Sequence, residues 1–144
     1  MSSALFALSR CTRPKELRMS HRILLVEADP ELRSVLQDVL ADEGYEVVTV
    51  AMPVVEPAVV AALGLDAIVL EYSVRQQPRA RLMLDQIQSC SATTAIPIII
   101  STTMARAAEE LAGLLRPQSD ALLAKPFPID DLLTTIERTV ARRP

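Results

Sequence analysis

Four residues of this chain carry groups suited to joint chemistry: the carboxylates of Glu27 and Glu71, the hydroxyl of Thr102 and the amine of Lys125. Each follows or closes a short apolar run, with Ile23 to Val26, Ala67 to Leu70, Ile96 to Ser101 and Ala121 to Ala124 leading into them in turn. If those runs are parallel strands of one sheet, the four groups and Ala28 gather beyond the strand ends. That crevice is where ligands sit in open α/β sheets. Thr102 is a pocket hydroxyl rather than a nucleophile, because the only histidine, His21, lies at the base of the first run. A catalytic triad is therefore excluded. Asp29 is followed by Pro30, the pattern of a helix N-cap with proline at the first helical position.

These groups need a scaffold that delivers strand ends to one place. From Arg22 onward, short apolar runs alternate with amphipathic stretches, the rhythm of five βα units around a parallel sheet. The first run is continuously apolar, as a strand buried on both faces must be. A helix over Pro30 to Glu43 aligns Leu32, Val35, Leu36, Val39 and Leu40 on one face, and Gly44 ends it. Tyr45 to Val50 reads as the second strand and Val54 to Leu63 as a helix softened by Pro57. Arg79 to Ser89, Ala105 to Leu115 and Ile129 to Arg142 read as the third, fourth and fifth helices. The fourth strand is placed at Ile96 to Ser101 and the fifth at Ala121 to Ala124. The expected architecture is a flavodoxin-like (βα)5 doubly wound five-stranded parallel sheet, three layers deep.

Composition narrows the function classes. The 144 residues are 50% hydrophobic, enough for one core without metal or disulfide staples. Cys11 and Cys90 lie far apart with no ligand spacing, which argues against zinc and disulfides and fits a reducing cytoplasm. Net charge is −3, but residues 1–22 carry +4 and the remainder −7. An acidic body repels phosphate backbones, so direct nucleic-acid binding is not expected. Ala51 to Leu70 is the most apolar long stretch, and Pro53, Glu56, Pro57, Gly64 and Asp66 rule it out as a membrane span. Residues 1–20 read as a poorly ordered extension, its first 18 residues an artefact if Met19 is the true start, with a single domain over 21–144.

In this order, the motifs resemble the response-regulator receiver domain of two-component signalling from Arg22 to Arg142. Ile23-Leu24-Leu25-Val26-Glu27-Ala28-Asp29-Pro30 is similar to the family's first strand and helix start, with Ala28 in place of the second acid. Glu71 stands where the family has its phosphorylated aspartate. Pro97-Ile98-Ile99-Ile100-Ser101-Thr102 resembles the fourth strand and its switch hydroxyl, and Lys125-Pro126-Phe127 the signature after the fifth. The family's aromatic reporter, three residues before the lysine, falls on Leu122, so an aromatic swing coupled to Thr102 is absent.

The resemblance implies a Mg²⁺ held by the acid at position 28, the aspartate at position 71 and the backbone carbonyl of Ser73. With Ala28 and Glu71 present, that binding is expected to be weak or lost, since removing a direct ligand costs at least the roughly 10–100-fold seen for outer-shell losses. The extra methylene of Glu71 displaces its carboxylate, and a shift near 1 Å costs about 10²-fold in rate. Glu71 bonded by Lys125 and Thr102 would imitate an activated state in part. Charge-assisted hydrogen bonds contribute about 1.5–3 kcal/mol, against roughly 5.5 for reversing a two-state equilibrium. A second reading has Glu27 and Glu71 as strand-end carboxylates neutralised by Lys125. Asp29 as a substitute for the missing acid competes with its role as N-cap.

The expected function is a stand-alone pseudo-receiver, a non-enzymatic and phosphorylation-independent interaction module with no cofactor. Its partner is expected to be a histidine kinase or another regulator. The partner would meet the fourth helix, fifth strand and fifth helix (Ala105 to Leu115 and Ile129 to Val140), with homodimerisation a further possibility. The alternative is a receiver still phosphorylated at or near Glu71, Ser73 included, in a Mg²⁺-dependent manner. A flavodoxin-like domain for another small ligand has little support: the three glycines, Gly44, Gly64 and Gly113, form no phosphate loop.

Overall fold

The computed structural model describes residues 20–104 and 108–141. Strands β1 (Arg22–Val26), β2 (Glu46–Val50), β3 (Ala67–Glu71), β4 (Ile98–Thr102) and β5 (Ala121–Ala124) alternate with helices. These are α1 (Pro30–Asp42), α2 (Pro57–Ala62), α3 (Arg79–Ser89), α4 (Ala108–Leu114) and α5 (Ile129–Ala141). All strand pairs are parallel and the order is β2-β1-β3-β4-β5, the doubly wound flavodoxin-like arrangement. The fold class expected from the sequence is the one observed.

The sheet separates two cores because strand side chains alternate faces. Leu24, Val26, Ile68, Leu70, Ile98 and Ile100 pack with residues of α2, α3 and α4. Ile23, Leu25, Ala67, Val69 and Ile99 pack with Leu36 and Leu40 of α1 and Leu132, Ile136 and Val140 of α5. Every residue of β1 is buried, which explains the unbroken apolar run from Ile23 to Val26 that follows Arg22.

Helix ends follow local chemistry. In α1, Asp29 Oδ1 accepts from the amides of Glu31 at 3.0 Å and Leu32 at 3.4 Å. At the other end the Tyr45 amide reaches the Leu40 carbonyl and the Gly44 amide the Ala41 carbonyl, while Gly44 takes φ +92°. This is a Schellman closure, and glycine supplies the left-handed residue it needs.

Some boundaries differ from expectation. Helix α2 starts at Pro57 rather than Val54, because proline lacks an amide and suits the first helical position. Strand β4 starts at Ile98, beyond Pro97, and runs to Thr102. Residues 105–107 of the expected fourth helix, Arg142 of the fifth and residues 1–19, with Cys11 and most of the expected extension, lie outside the described residues.

Candidate functional site

The parallel register brings the ends of β1, β3, β4 and β5 to one edge. Glu27 follows β1 with its side chain 2% exposed, and Oε1 accepts from Lys125 Nζ at 2.6 Å. Its Oε2 accepts from the Asp29 amide at 3.2 Å, and its carbonyl from Arg33 Nη1 at 2.9 Å. Glu71, the last residue of β3, turns toward the β1–α1 connection, where Oε2 accepts from the Ala28 amide at 2.8 Å. Its Oε1 stands 4.0 Å from Lys125 Nζ, an ion-pair distance but beyond a hydrogen bond.

The Glu71 carboxyl is held above the usual carboxylate range, mainly by burial. The Ala28 amide opposes this, the nearby Glu27 adds to it through hydrogen bonding and repulsion, and Lys125 works weakly the other way. Of the two carboxylates, Lys125 therefore serves Glu27 first.

Thr102 is 2% exposed, and its hydroxyl oxygen accepts from the Met104 amide at 2.9 Å. Its carbonyl accepts from the Lys125 amide at 2.7 Å. The expected bonds from Thr102 and Lys125 to Glu71 are not formed. The hydroxyl of Thr102 is held in a local turn after β4, where its oxygen accepts from the Met104 amide, and the longer glutamate side chain reaches the Ala28 amide instead. Asp29 caps α1 as described, so its carboxylate is committed to helix amides.

Leu122 in β5 is half-buried against the core beneath α2, α3 and α4, and Phe127 packs on the opposite core. The Lys125–Pro126 peptide is cis. Ser73 turns inward on its own loop: its carbonyl accepts from the amides of Gln76 at 3.1 Å and Gln77 at 3.0 Å, and its hydroxyl oxygen accepts from Gln76 at 3.3 Å. A cleft of about 340 Å³ opens here, with Ala28, Asp29, Glu71, Ser73 and Arg75 on its wall. Arg75 had no motif to mark it, since a loop arginine is found only once the loop has a path.

Comparison with solved structures places this geometry. The receiver domain of a sensor histidine kinase from Pseudomonas aeruginosa, crystallised with magnesium in its active-site cleft, superposes with TM-score 0.70 at 24% identity. The match covers 85% of this chain and 98% of that one. This chain has the receiver fold. A response-regulator receiver protein from Sinorhizobium medicae gives TM-score 0.69 at 21% identity, over 88% and 98% of the two chains. The response regulator TrrA from Thermotoga maritima, in complex with Mg²⁺ and beryllofluoride, gives 0.66 at 21%, over 83% and 98%. No family model and no curated protein matches the chain. Among the described residues of this receiver fold, no helix is long and apolar enough to cross a membrane.

Proposed function

We propose that this chain is a pseudo-receiver: a module of two-component signalling that works by binding a partner rather than by phosphoryl transfer. The observation that carries this reading is the Glu71–Ala28 contact. The side chain at the phosphoacceptor position is bonded to the amide of the residue that replaces the metal-binding acid.

The donor set does not fit Mg²⁺, which demands six oxygens in near-ideal octahedral geometry. Position 28 offers a methyl group, Glu71 Oε2 is engaged by an amide, and the Ser73 carbonyl is engaged by two. Among the described residues no group of three acidic, histidine or cysteine side chains is arranged for a metal ion. With Lys125 bonded to Glu27 and Thr102 to the Met104 amide, the groups of the pocket satisfy one another in a single arrangement.

The partner of this reading is a histidine kinase or another regulator in the cytoplasm, met by α4, β5 and α5. The rival reading, phosphorylation at or near Glu71, draws on the retained Lys125 at 4.0 Å from Glu71 and on the buried Thr102. A Mg²⁺ titration followed through the Ala28 and Glu71 amide resonances separates the two. The pseudo-receiver gives no saturable shift at millimolar metal, and a saturable shift at those amides supports the phosphoacceptor.

A further inference from the structure

A second cleft lies between α3 and α4, on the far side of the 72–77 loop from the residues of the first. It measures about 380 Å³, within the roughly 300–1,000 Å³ of small-molecule sites. One wall carries Tyr72, Gln77 and Arg81, and the other Glu110, Leu111 and Leu114.

The first wall is built of donors. Tyr72 is 3% exposed, and its hydroxyl oxygen accepts from Gln77 Nε2 at 2.8 Å. Among the described residues its own O–H proton has no acceptor, although buried polar groups ordinarily find one. Arg81 is anchored along its own helix, with Nε donating to Asp85 Oδ1 at 3.2 Å and Oδ2 at 3.3 Å. The rest of its guanidinium lies beside the Tyr72 hydroxyl oxygen, which attracts it, and keeps N–H groups to spare on its exposed side. The second wall is different in kind: Glu110 makes no hydrogen bond or ion pair among the described residues, Leu114 beside it is half-buried, and Leu111, 1% exposed, lies at the base of the cleft. Arg81 and Glu110 thus line one cleft without pairing across it.

We propose that this cleft binds a free amino acid with an apolar side chain. Its carboxylate would accept from the Tyr72 hydroxyl and the Arg81 guanidinium, its ammonium would meet Glu110, and its side chain would lie on Leu111 and Leu114. A simple anion would be repelled by Glu110, and a simple cation by Arg81. A zwitterion satisfies both walls and gives the Tyr72 proton its acceptor. The site places a small-molecule input against α4, and it does not depend on how the Glu71 pocket works.

The test is a titration of the ¹⁵N-labelled full chain with leucine, methionine and phenylalanine, and in parallel with N-acetyl-leucine and leucinamide. At least one free amino acid should give saturable shifts at Tyr72, Gln77 and Leu111 to Leu114. The blocked forms should bind about tenfold more weakly or worse, the loss expected for one charge-assisted contact. Tyr72→Phe, which keeps the buried ring, should weaken binding by about fivefold or more, within the range for one lost hydrogen bond. Glu110→Gln, on an exposed helix position, should erase the preference for the free amine. No saturable shift with any of the three amino acids overturns the proposal, and so does equal binding of free and blocked leucine.

Discussion

At the edge where the strands begin, each charged group is held by several partners, whereas at the edge where they end most are held by one or two. Arg22, 1% exposed, donates to Glu46 Oε2 from Nε at 3.0 Å and Nη2 at 2.8 Å, and to the Leu63 carbonyl at 3.0 Å. Its amide donates to Asp66 Oδ2 at 2.8 Å, tying β1 to the start of β3. Asp120, just before β5, accepts from the Ile98 amide, from the Arg116 amide and from the Arg116 guanidinium, each near 2.9 Å. Arg116 also reaches the carbonyls of Ile96 and Thr94. At the other edge, Lys125 has one close partner, Glu27, and Glu71 has the Ala28 amide. One edge staples the sheet, and the other sets Glu71, with Asp29 and Arg75, on the wall of an open cleft that a ligand or partner can reach.

The contrast is tested first where it is greatest. Asp120→Ala strands Arg116 and the buried Ile98 amide, and it should lower unfolding free energy by about 3 kcal/mol or more. Urea denaturation with an unchanged slope measures it. Lys125→Met removes the one cation bonded to Glu27 but leaves its carboxylate the Asp29 amide and the neighbouring Glu71, with which it can share a proton, so a loss of about 1–3 kcal/mol is expected. Equal losses in the two variants would erase the difference between the edges.

Smaller effects sharpen the picture of the strand-end pocket. Glu71→Ala removes one acceptor from the Ala28 amide and should cost about 0.5–1.5 kcal/mol in the same assay. The pH dependence of Glu71 is the subtlest effect. Its folded carboxyl titrates above its ordinary 4.5, so between that value and the raised one the folded state holds more proton than the unfolded chain. Stability from this group is full below 4.5 and falls as pH rises through the window. Glu71→Gln should remove that fall, seen as a flatter urea midpoint between acid and neutral pH. An unchanged pH profile would mean that the carboxyl is not perturbed in the fold.

Much of the scaffold was legible because its signals are local. Asp29-Pro30 marks a helix start and Gly44 its Schellman end, and both lie where the sequence pattern puts them. Ala121 to Ala124 and Arg79 to Ser89 match their expected bounds. Pro57 misled: read as an interruption of a longer helix, it is instead the first residue of a shorter one. The convergence of Glu27, Glu71, Thr102 and Lys125 on one edge followed from strand order, but their bonds did not. Whether Glu71 turns to Thr102, Lys125 or an amide depends on side-chain reach, and its carboxylate reaches the Ala28 amide. The Arg116–Asp120 staple left a faint trace, two opposite charges four residues apart before β5, whose role appears only once the Ile98 amide lies beside them.

The most direct test of the proposed pseudo-receiver is the intact mass of the protein after incubation with acetyl phosphate and Mg²⁺. An Ala28→Asp, Glu71→Asp double variant treated identically serves as the control. The account predicts that the double variant gains a phosphoryl group and the native chain does not. A phosphoryl group on the native chain, mapped to Glu71 or Ser73, would contradict it.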